Sequence, residues 1–305
     1  MRKAVVQTIV SLASRDDRIV LLTGDLGFMV LEPFAARFPD RFFNVGVAEQ
    51  NMVGLSTGLA EAGFIPFVYS IATFITLRAY EFIRNGPVLQ RLPVRFLGVG
   101  GGFEYGPAGA THHALEDLAV MRAQPGLIVI APSDAMQAQT AIEATWNASA
   151  PVYFRLGKNE QASIPGLNGA FELGRVQVVR EGSDVVIVCV GPLAIEGVTA
   201  AEELTGCGIS AAVVVLASIN PPPTQDLEII LSRFSVALTV EAHYLTGGIG
   251  SLVSEVAAAR GMRTRVIRCA VRDPSIGVSG SESWLLSTHG LSATGISATV
   301  RAALT

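Results

Sequence analysis

Apolar residues in this chain fall into short unbroken runs, separated by stretches in which they recur every three or four positions. Runs at 18–23, 41–45, 64–69, 94–99, 127–131 and 151–155 are bounded by Gly, Pro or polar residues, as buried strands are. Between them, helical spacing covers 49–62, with Gly63 as its C-cap, then 73–90 and 115–123; Ser133-Asp134 caps one more helix. Strands apolar on both faces and alternating with helices predict a mostly parallel sheet with helices on both faces. From 157 to 174 the pattern lapses into polar, Gly- and Pro-containing sequence. Alternation then resumes, with strands at 174–179, 184–190, 209–216, 236–240 and 265–269, and helices at 194–205, 224–233, 250–259 and twice near the end. The reading is an α/β chain of two such domains, 1–160 and 175–305.

Composition adds limits. Half of the 305 residues are hydrophobic and 16% are charged, enough for a large core. Mean hydropathy is +0.46, yet runs such as Asp184-Val-Val-Ile-Val-Cys-Val190 fall far short of the roughly 20 residues of a membrane span. The start, Met1-Arg-Lys-Ala-Val-Val-Gln7, is too polar for a signal peptide, so a cytoplasmic protein without a membrane partner is expected. A net charge of −4 with no basic tract argues against nucleic acid. Cys189, Cys207 and Cys269 form no Cys-x-x-Cys pair and are expected to be reduced, buried thiols rather than metal ligands.

Three clusters carry candidate chemistry. Gly98-Val-Gly-Gly-Gly-Phe-Glu-Tyr-Gly-Pro-Ala-Gly-Ala-Thr-His-His113 follows a strand, so it belongs at the carboxyl edge of the sheet, where open α/β folds build their sites. His112 and His113 end it, and an imidazole exchanges protons near neutral pH. It lacks the Gly-Lys-Ser/Thr of a phosphate loop. The second, Phe42-Phe-Asn-Val-Gly-Val-Ala-Glu-Gln-Asn51, places Glu49 where a strand gives way to a helix; by itself that favours only the helix dipole. In the third, Phe74, Leu77 and Tyr80 share one helical face, which alone signifies core packing.

The order of these motifs resembles a known family. Gly24-Asp25-Leu26, Asn44-Val-Gly-Val-Ala-Glu-Gln50, Thr73-Phe-x-x-Leu-x-x-Tyr80, Gly109-Ala-Thr-His-His113, Ala131-Pro-Ser-Asp134 and Tyr153-Phe-Arg155 follow one another as in the central domain of transketolases and 1-deoxyxylulose-5-phosphate synthases. Thr239-Val-Glu-Ala-His-Tyr-Leu-Thr-Gly-Gly-Ile-Gly-Ser251 is similar to their C-terminal domain. The resemblance implies thiamine diphosphate as cofactor. Glu49 would share a proton with N1′ of its aminopyrimidine, favouring the tautomer that takes the proton from the thiazolium carbon. Phe74 would stack on that ring, Leu77 and Tyr80 would line its pocket, and Asp25 would lie on the cofactor side. His112 matches a loop histidine that contacts substrate oxygens and assists proton transfer. Arg2 and Arg155 match residues that bind the substrate's terminal phosphate; His113 stands where the family more often has glutamine.

Equally telling are the motifs that do not match. The family's other half carries Gly-Asp-Gly and a downstream Asn, which hold Mg²⁺ and the diphosphate; here Gly24-Asp25 continues into Leu26-Gly27, with no such domain before Met1. The resemblance therefore implies a split enzyme with a second subunit, in an α₂β₂ heterotetramer. Ala108 replaces an aspartate that recognises a sugar hydroxyl, and Gly100 stands where transketolases have a substrate histidine. The leading expectation is transfer of a two-carbon ketol or acyl unit from a sugar phosphate or 2-oxoacid donor. The alternative is the β subunit of a pyruvate- or 2-oxoacid-decarboxylating thiamine enzyme. A catalytically dead scaffold subunit is a third reading, opposed by Glu49, Phe74 and His112 occurring together.

Overall fold

The computed structural model describes residues 1–160, 163–273 and 278–305. The chain runs α1 (Arg2–Ala13), β1 (Ile19–Thr23), α2 (Glu32–Arg37), β2 (Phe42–Asn44), α3 (Glu49–Glu61), β3 (Ile65–Ile71), α4 (Tyr80–Ile83), β4 (Arg95–Val99), α5 (Asp117–Arg122), β5 (Ile128–Ile130), α6 (Ala135–Thr145) and β6 (Val152–Leu156). It continues through β7 (Gln177–Arg180), β8 (Val185–Cys189), α7 (Ala194–Thr205), β9 (Ala211–Val215), β10 (Ser218–Asn220), α8 (Thr224–Ser232), β11 (Val236–Tyr244), α9 (Ile249–Ala259), β12 (Arg265–Val271), α10 (Glu282–Thr288) and α11 (Ala293–Leu304). A seven-stranded sheet has the order β10-β5-β6-β4-β3-β1-β2, and a five-stranded sheet the order β12-β11-β8-β9-β7. Among the described residues, only the edge strands β10 and β7 are antiparallel to their neighbours.

The central strands, such as β1 and β8, are apolar on both sides because the sheets are covered on both sides there. β1 turns Val20 and Leu22 toward Met52 and Val53 of α3, and Ile19 and Leu21 toward Val5, Val6 and Ile9 of α1. In the second sheet, Val186 and Val188 of β8 face Leu227 of α8 and Val253 of α9, while Val185 and Ile187 face Leu204 of α7 and Val300 of α11. Tyr153 and Phe96 of the first sheet share one apolar cluster with Val188 and Leu231 of the second part, so the two sheets are joined through a common core.

Three features depart from the expected elements. α1 and α2 lie in stretches where no element was expected. The strand expected to end at 216 is followed by β10, which joins the first sheet: Ala131 N–H donates to Ala217 O at 2.8 Å, and Asn220 Nδ2 to Leu127 O at 2.6 Å. The single helix expected over 73–90 is broken, because Phe74–Arg78 and Arg84–Val88 wind as wider π turns on either side of α4. Pro87 lies inside the second of these, and its ring nitrogen has no hydrogen to give to a helical ladder.

One buried cation is purely architectural. Arg95 on β4 is fully buried, and donates to the carbonyls of Trp146 and Ala150, at 2.9 Å each, and to Ala148 O. Burial pushes its pKa down to about 9. Among the thiols, Cys189 is buried, Cys269 half-buried and Cys207 exposed, the last against expectation. Among the described residues, no helix is long and apolar enough to cross a membrane.

Candidate functional site

The site forms at the carboxyl ends of β1, β3 and β4, where parallel strands deliver their loops. After β2 the backbone turns at Gly46, with φ +74°, and α3 starts at Glu49. Glu49 is 2% exposed, so it is no solvated partner of the helix dipole. Its Oε1 accepts from Ser70 Oγ at 3.1 Å and its Oε2 from Arg78 Nη1 at 3.1 Å. Ser70 belongs to β3 and Arg78 to the π turn after it, so the carboxylate is held by side chains far along the chain. The Arg78 guanidinium also sits 3.9 Å from the centroid of the Phe74 ring. A cationic planar donor thus spans the space between a buried carboxylate and an aromatic face.

Phe74, Leu77 and Tyr80 do not keep the spacing of one α-helical face, because Phe74–Arg78 winds as a π turn with more residues per turn. Phe74 is half-buried, Leu77 is 44% exposed, and Tyr80 packs on the core, with its hydroxyl donating to Val120 O at 3.0 Å and accepting from Gln124 Nε2. Asp25, at φ +59°, is exposed beside Asn44: Nδ2 of Asn44 donates to Oδ1 of Asp25 at 2.9 Å, and the Asp25 N–H donates back to Asn44 Oδ1 at 3.0 Å.

The glycine-rich loop returns to this place. His112 meets Phe74 edge-on, with ring centroids 5.0 Å apart, and its Nδ1 lies 3.0 Å from Thr111 Oγ1. Beyond it, Tyr105 is 6.3 Å from His112, and Lys158 Nζ is 4.3 Å from the Tyr105 ring. Arg2 is half-buried, with Nε 3.5 Å from Glu160 Oε1. Glu49, Arg78, Phe74, His112, Tyr105 and Lys158 therefore follow one another in a line. Neighbouring Glu104 is buried and accepts from Lys158 N–H at 2.9 and 3.0 Å; burial pushes its carboxyl up to about 8.

Two expected ligand groups are turned inward instead. His113 is 4% exposed, with Nε2 3.4 Å from Gly106 O and its ring edge-on to Phe103 at 5.1 Å; burial lowers its pKa. Phe103 stacks on its other side with His289, 5.2 Å away and 11° from parallel. The histidine therefore packs under the loop. Arg155, expected to bind phosphate, is 5% exposed: Nε donates to Asp117 Oδ2 at 2.9 Å, and Nη2 to Ala114 O and Ala242 O at 2.8 and 2.9 Å. It ties the first sheet to β11. Arg78, Ser70, Tyr105 and Lys158 are the site residues that motif reading passed over. Arg78 stands four positions after Phe74, within the stretch that motif reading covered.

Comparison with known proteins bears on this arrangement. Residues 1–162 match the family model "Transketolase, pyrimidine binding domain" and residues 174–296 "Transketolase, C-terminal domain". The chain is 37% identical over 294 residues to a putative transketolase C-terminal section from Methanocaldococcus jannaschii, covering 95% of this chain and 92% of that one. It is 37% identical over 297 residues to a 1-deoxy-D-xylulose-5-phosphate synthase from Syntrophotalea carbinolica, covering 96% of this chain but 46% of the relative. Among solved structures, one described as a split gene transketolase, inactive beta4 tetramer, superposes with a TM-score of 0.91 at 36% identity, covering 99% of this chain and 97% of that one.

Proposed function

The chain belongs to the transketolase family, and from that premise we propose that it is one half of a two-chain, thiamine-diphosphate-dependent transferase. The reaction is transfer of a two-carbon unit, ketol or acyl, from a ketose or 2-oxoacid donor to an aldehyde or ketone acceptor. The observation that carries this reading is the slot between Glu49 and Phe74. Arg78 offers there a flat, nitrogen-bearing donor that lies over Phe74 and bonds Glu49. An aminopyrimidine presents the same features, so these residues fit the cofactor's ring.

Thiamine diphosphate, when bound, supplies the carbon nucleophile for the donor carbonyl. Glu49 holds a proton at the ring nitrogen, and its burial strengthens that bond relative to one in water. Phe74 seats the ring, Leu77 and Tyr80 border the seat, and Asp25 lies on the cofactor side. His112 reaches substrate oxygens and moves a proton there. Arg2 takes the substrate's far end; Arg155 and His113, given their partners, position the loop rather than touch substrate.

The diphosphate and Mg²⁺ fall to a second subunit in this reading, which the likeness to a transketolase C-terminal section and to a split gene transketolase supports. The assembly we propose is an α₂β₂ heterotetramer. Titration calorimetry with thiamine diphosphate and Mg²⁺ tests the division of labour. The chain alone should bind weakly and the complex with its partner tightly; micromolar affinity of the chain alone would sink the two-chain reading.

A further inference from the structure

We propose that Ser70 decides where the proton shared by Glu49 and the cofactor's ring comes to rest, and that it keeps that proton on the ring. Ser70 acts through Glu49 and is therefore a positioning residue, a role that rests on the thiamine diphosphate reading above. It lies on β3, every residue of which is buried, and is itself wholly shielded from solvent. Val68, two residues earlier and so on the same face, packs with Met52 and Val53 of α3. An apolar residue at position 70 would extend that packing. A hydroxyl there gives up contact area and needs a partner, and its partner is Glu49 Oε1 at 3.1 Å.

The two carboxylate oxygens of Glu49 are not equivalent. Oε2 accepts from Arg78, whose guanidinium lies over Phe74, so it faces the slot that fits the ring. Oε1 lies against the end of β1: a Cβ on Gly24 would stand 3.7 Å from it and 3.8 Å from Met52 Cε. Ser70 and Arg78 are the hydrogen-bond partners of this carboxylate among the described residues. Arg78 has to leave Oε2 when a ring takes the slot. Ser70 then stays as the donor this chain gives to Glu49.

That lone donor has a chemical consequence. A proton passing from Oε2 to N1′ leaves an ionised carboxylate and a protonated ring nitrogen, and no other bond changes. An ionised carboxylate can only accept, and it accepts more strongly than the neutral acid. The Ser70 O–H therefore stabilises the arrangement with the proton on the ring over the one with the proton on Glu49. Glu49 is 2% exposed, so bulk water does not supply the same bond. Loss of the hydroxyl should shift the ratio of the two proton positions toward Glu49 by about tenfold or more, the size expected for one hydrogen bond to a charged group.

The test loads the assembled two-chain complex with thiamine diphosphate labelled with ¹⁵N at N1′ and follows that nitrogen by solid-state NMR, where protonation moves its resonance far upfield. Ser70→Val removes the hydroxyl and leaves no room for a water in its place; Ser70→Thr has the shape of valine and keeps the hydroxyl; Ser70→Ala cannot crowd α3. In wild type the resonance should lie at the protonated position. Val and Ala should move it toward the unprotonated one and slow hydrogen–deuterium exchange at the reactive carbon by about tenfold, while Thr keeps both with wild type. A merely structural role would leave the proton where it is. A resonance that stays protonated in both Val and Ala overturns the proposal, as does a Thr variant that behaves like Val, or a wild-type ring that is not protonated. A wild-type complex that takes up no thiamine diphosphate in calorimetric titration refutes the cofactor reading, and the role of Ser70 falls with it.

Discussion

Arg78 donates to the Glu49 carboxylate at 3.1 Å while its guanidinium lies 3.9 Å from the centroid of the Phe74 ring. The two contacts compete with any ring that uses the same carboxylate and the same aromatic face. Arg78 is 47% exposed at its side chain and can swing toward solvent, whereas Glu49 is fixed by α3 and by Ser70. The arginine is therefore the movable partner.

Replacing Arg78 by Met should tighten thiamine diphosphate binding to the complex. A ligand that binds only the open arrangement has its affinity reduced by the fraction of molecules that are open. If Arg78 closes the slot in most molecules, its removal lowers Kd several-fold, to about tenfold. Calorimetry on wild type and Arg78→Met reads this directly. Weaker binding in the variant would mean that Arg78 contacts the ligand instead of giving way to it.

Glu49→Gln should nearly abolish turnover while the thermal unfolding midpoint stays close to wild type. Gln keeps the bond to Ser70 and the shape of the side chain, but it cannot share a proton with a ring nitrogen. Hydrogen–deuterium exchange at the reactive carbon of bound cofactor isolates this step from substrate binding. Exchange at the wild-type rate would remove Glu49 from its role.

The buried strands were legible because sheets covered on both faces leave unbroken apolar runs, as at β8 and β9. β10 was not legible. It has three residues, three prolines follow it, and its partner Ile130 lies far back in the chain. α1 did carry a helical signal, Val5, Ile9 and Leu12, short of the more regular pattern of later helices. The site divides along the same line. Glu49 was visible only through its resemblance to a family motif, since its partners Ser70 and Arg78 stand 21 and 29 residues away. Arg155 was visible as a charge, but its partner Asp117 is 38 residues distant, so its burial was not. That the Tyr105 ring folds back over Gly100 depends on several glycine torsions that local spacing does not encode.

His243 should make stability fall in mild acid. It is buried on β11, where Nδ1 lies 2.7 Å from Tyr244 O and so carries the hydrogen, leaving Nε2 to accept from the Ala119 N–H of α5 at 3.2 Å. A proton on Nε2 would break this link between the two halves of the chain. Burial lowers its pKa; Asp117 opposes this, Arg155 reinforces it, and Glu241 lies on the same strand. With the folded pKa below the unfolded value of about 6.5, the unfolded chain takes up its proton first. Stability is then complete above about 6.5 and is lost as pH falls toward the folded pKa. Glu104 and Glu241, pushed up to about 8 and about 7 by burial, act in the opposite sense. Comparison with His243→Gln separates the effects: the stability advantage of wild type over the variant should shrink from pH 7 to pH 5. An advantage independent of pH would show that the imidazole is not held neutral.

The donor should depend less on a hydroxyl beside the reacting carbonyl than it would with an aspartate in place of Ala108. Ala108 is exposed at the end of the turn Gly106–Ala108, four residues before His112, and its methyl group can accept no hydrogen bond. A site built to bond a hydroxyl discriminates strongly against a substrate without one, because its own polar group is then left unpaired. With a methyl group there, that penalty disappears, and with it much of the advantage of the hydroxylated donor. Pyruvate and hydroxypyruvate isolate the effect, since they differ only in that hydroxyl and neither carries a phosphate. Wild-type complex should give kcat/KM values for the two within about tenfold of each other. Ala108→Asp, at an exposed position with room for the longer side chain, should move the ratio toward hydroxypyruvate by about tenfold or more, the worth of one good hydrogen bond to a carboxylate. If wild type already prefers hydroxypyruvate strongly and Ala108→Asp leaves the ratio unchanged, the hydroxyl is read elsewhere, with His112 or the second subunit as the groups to test next.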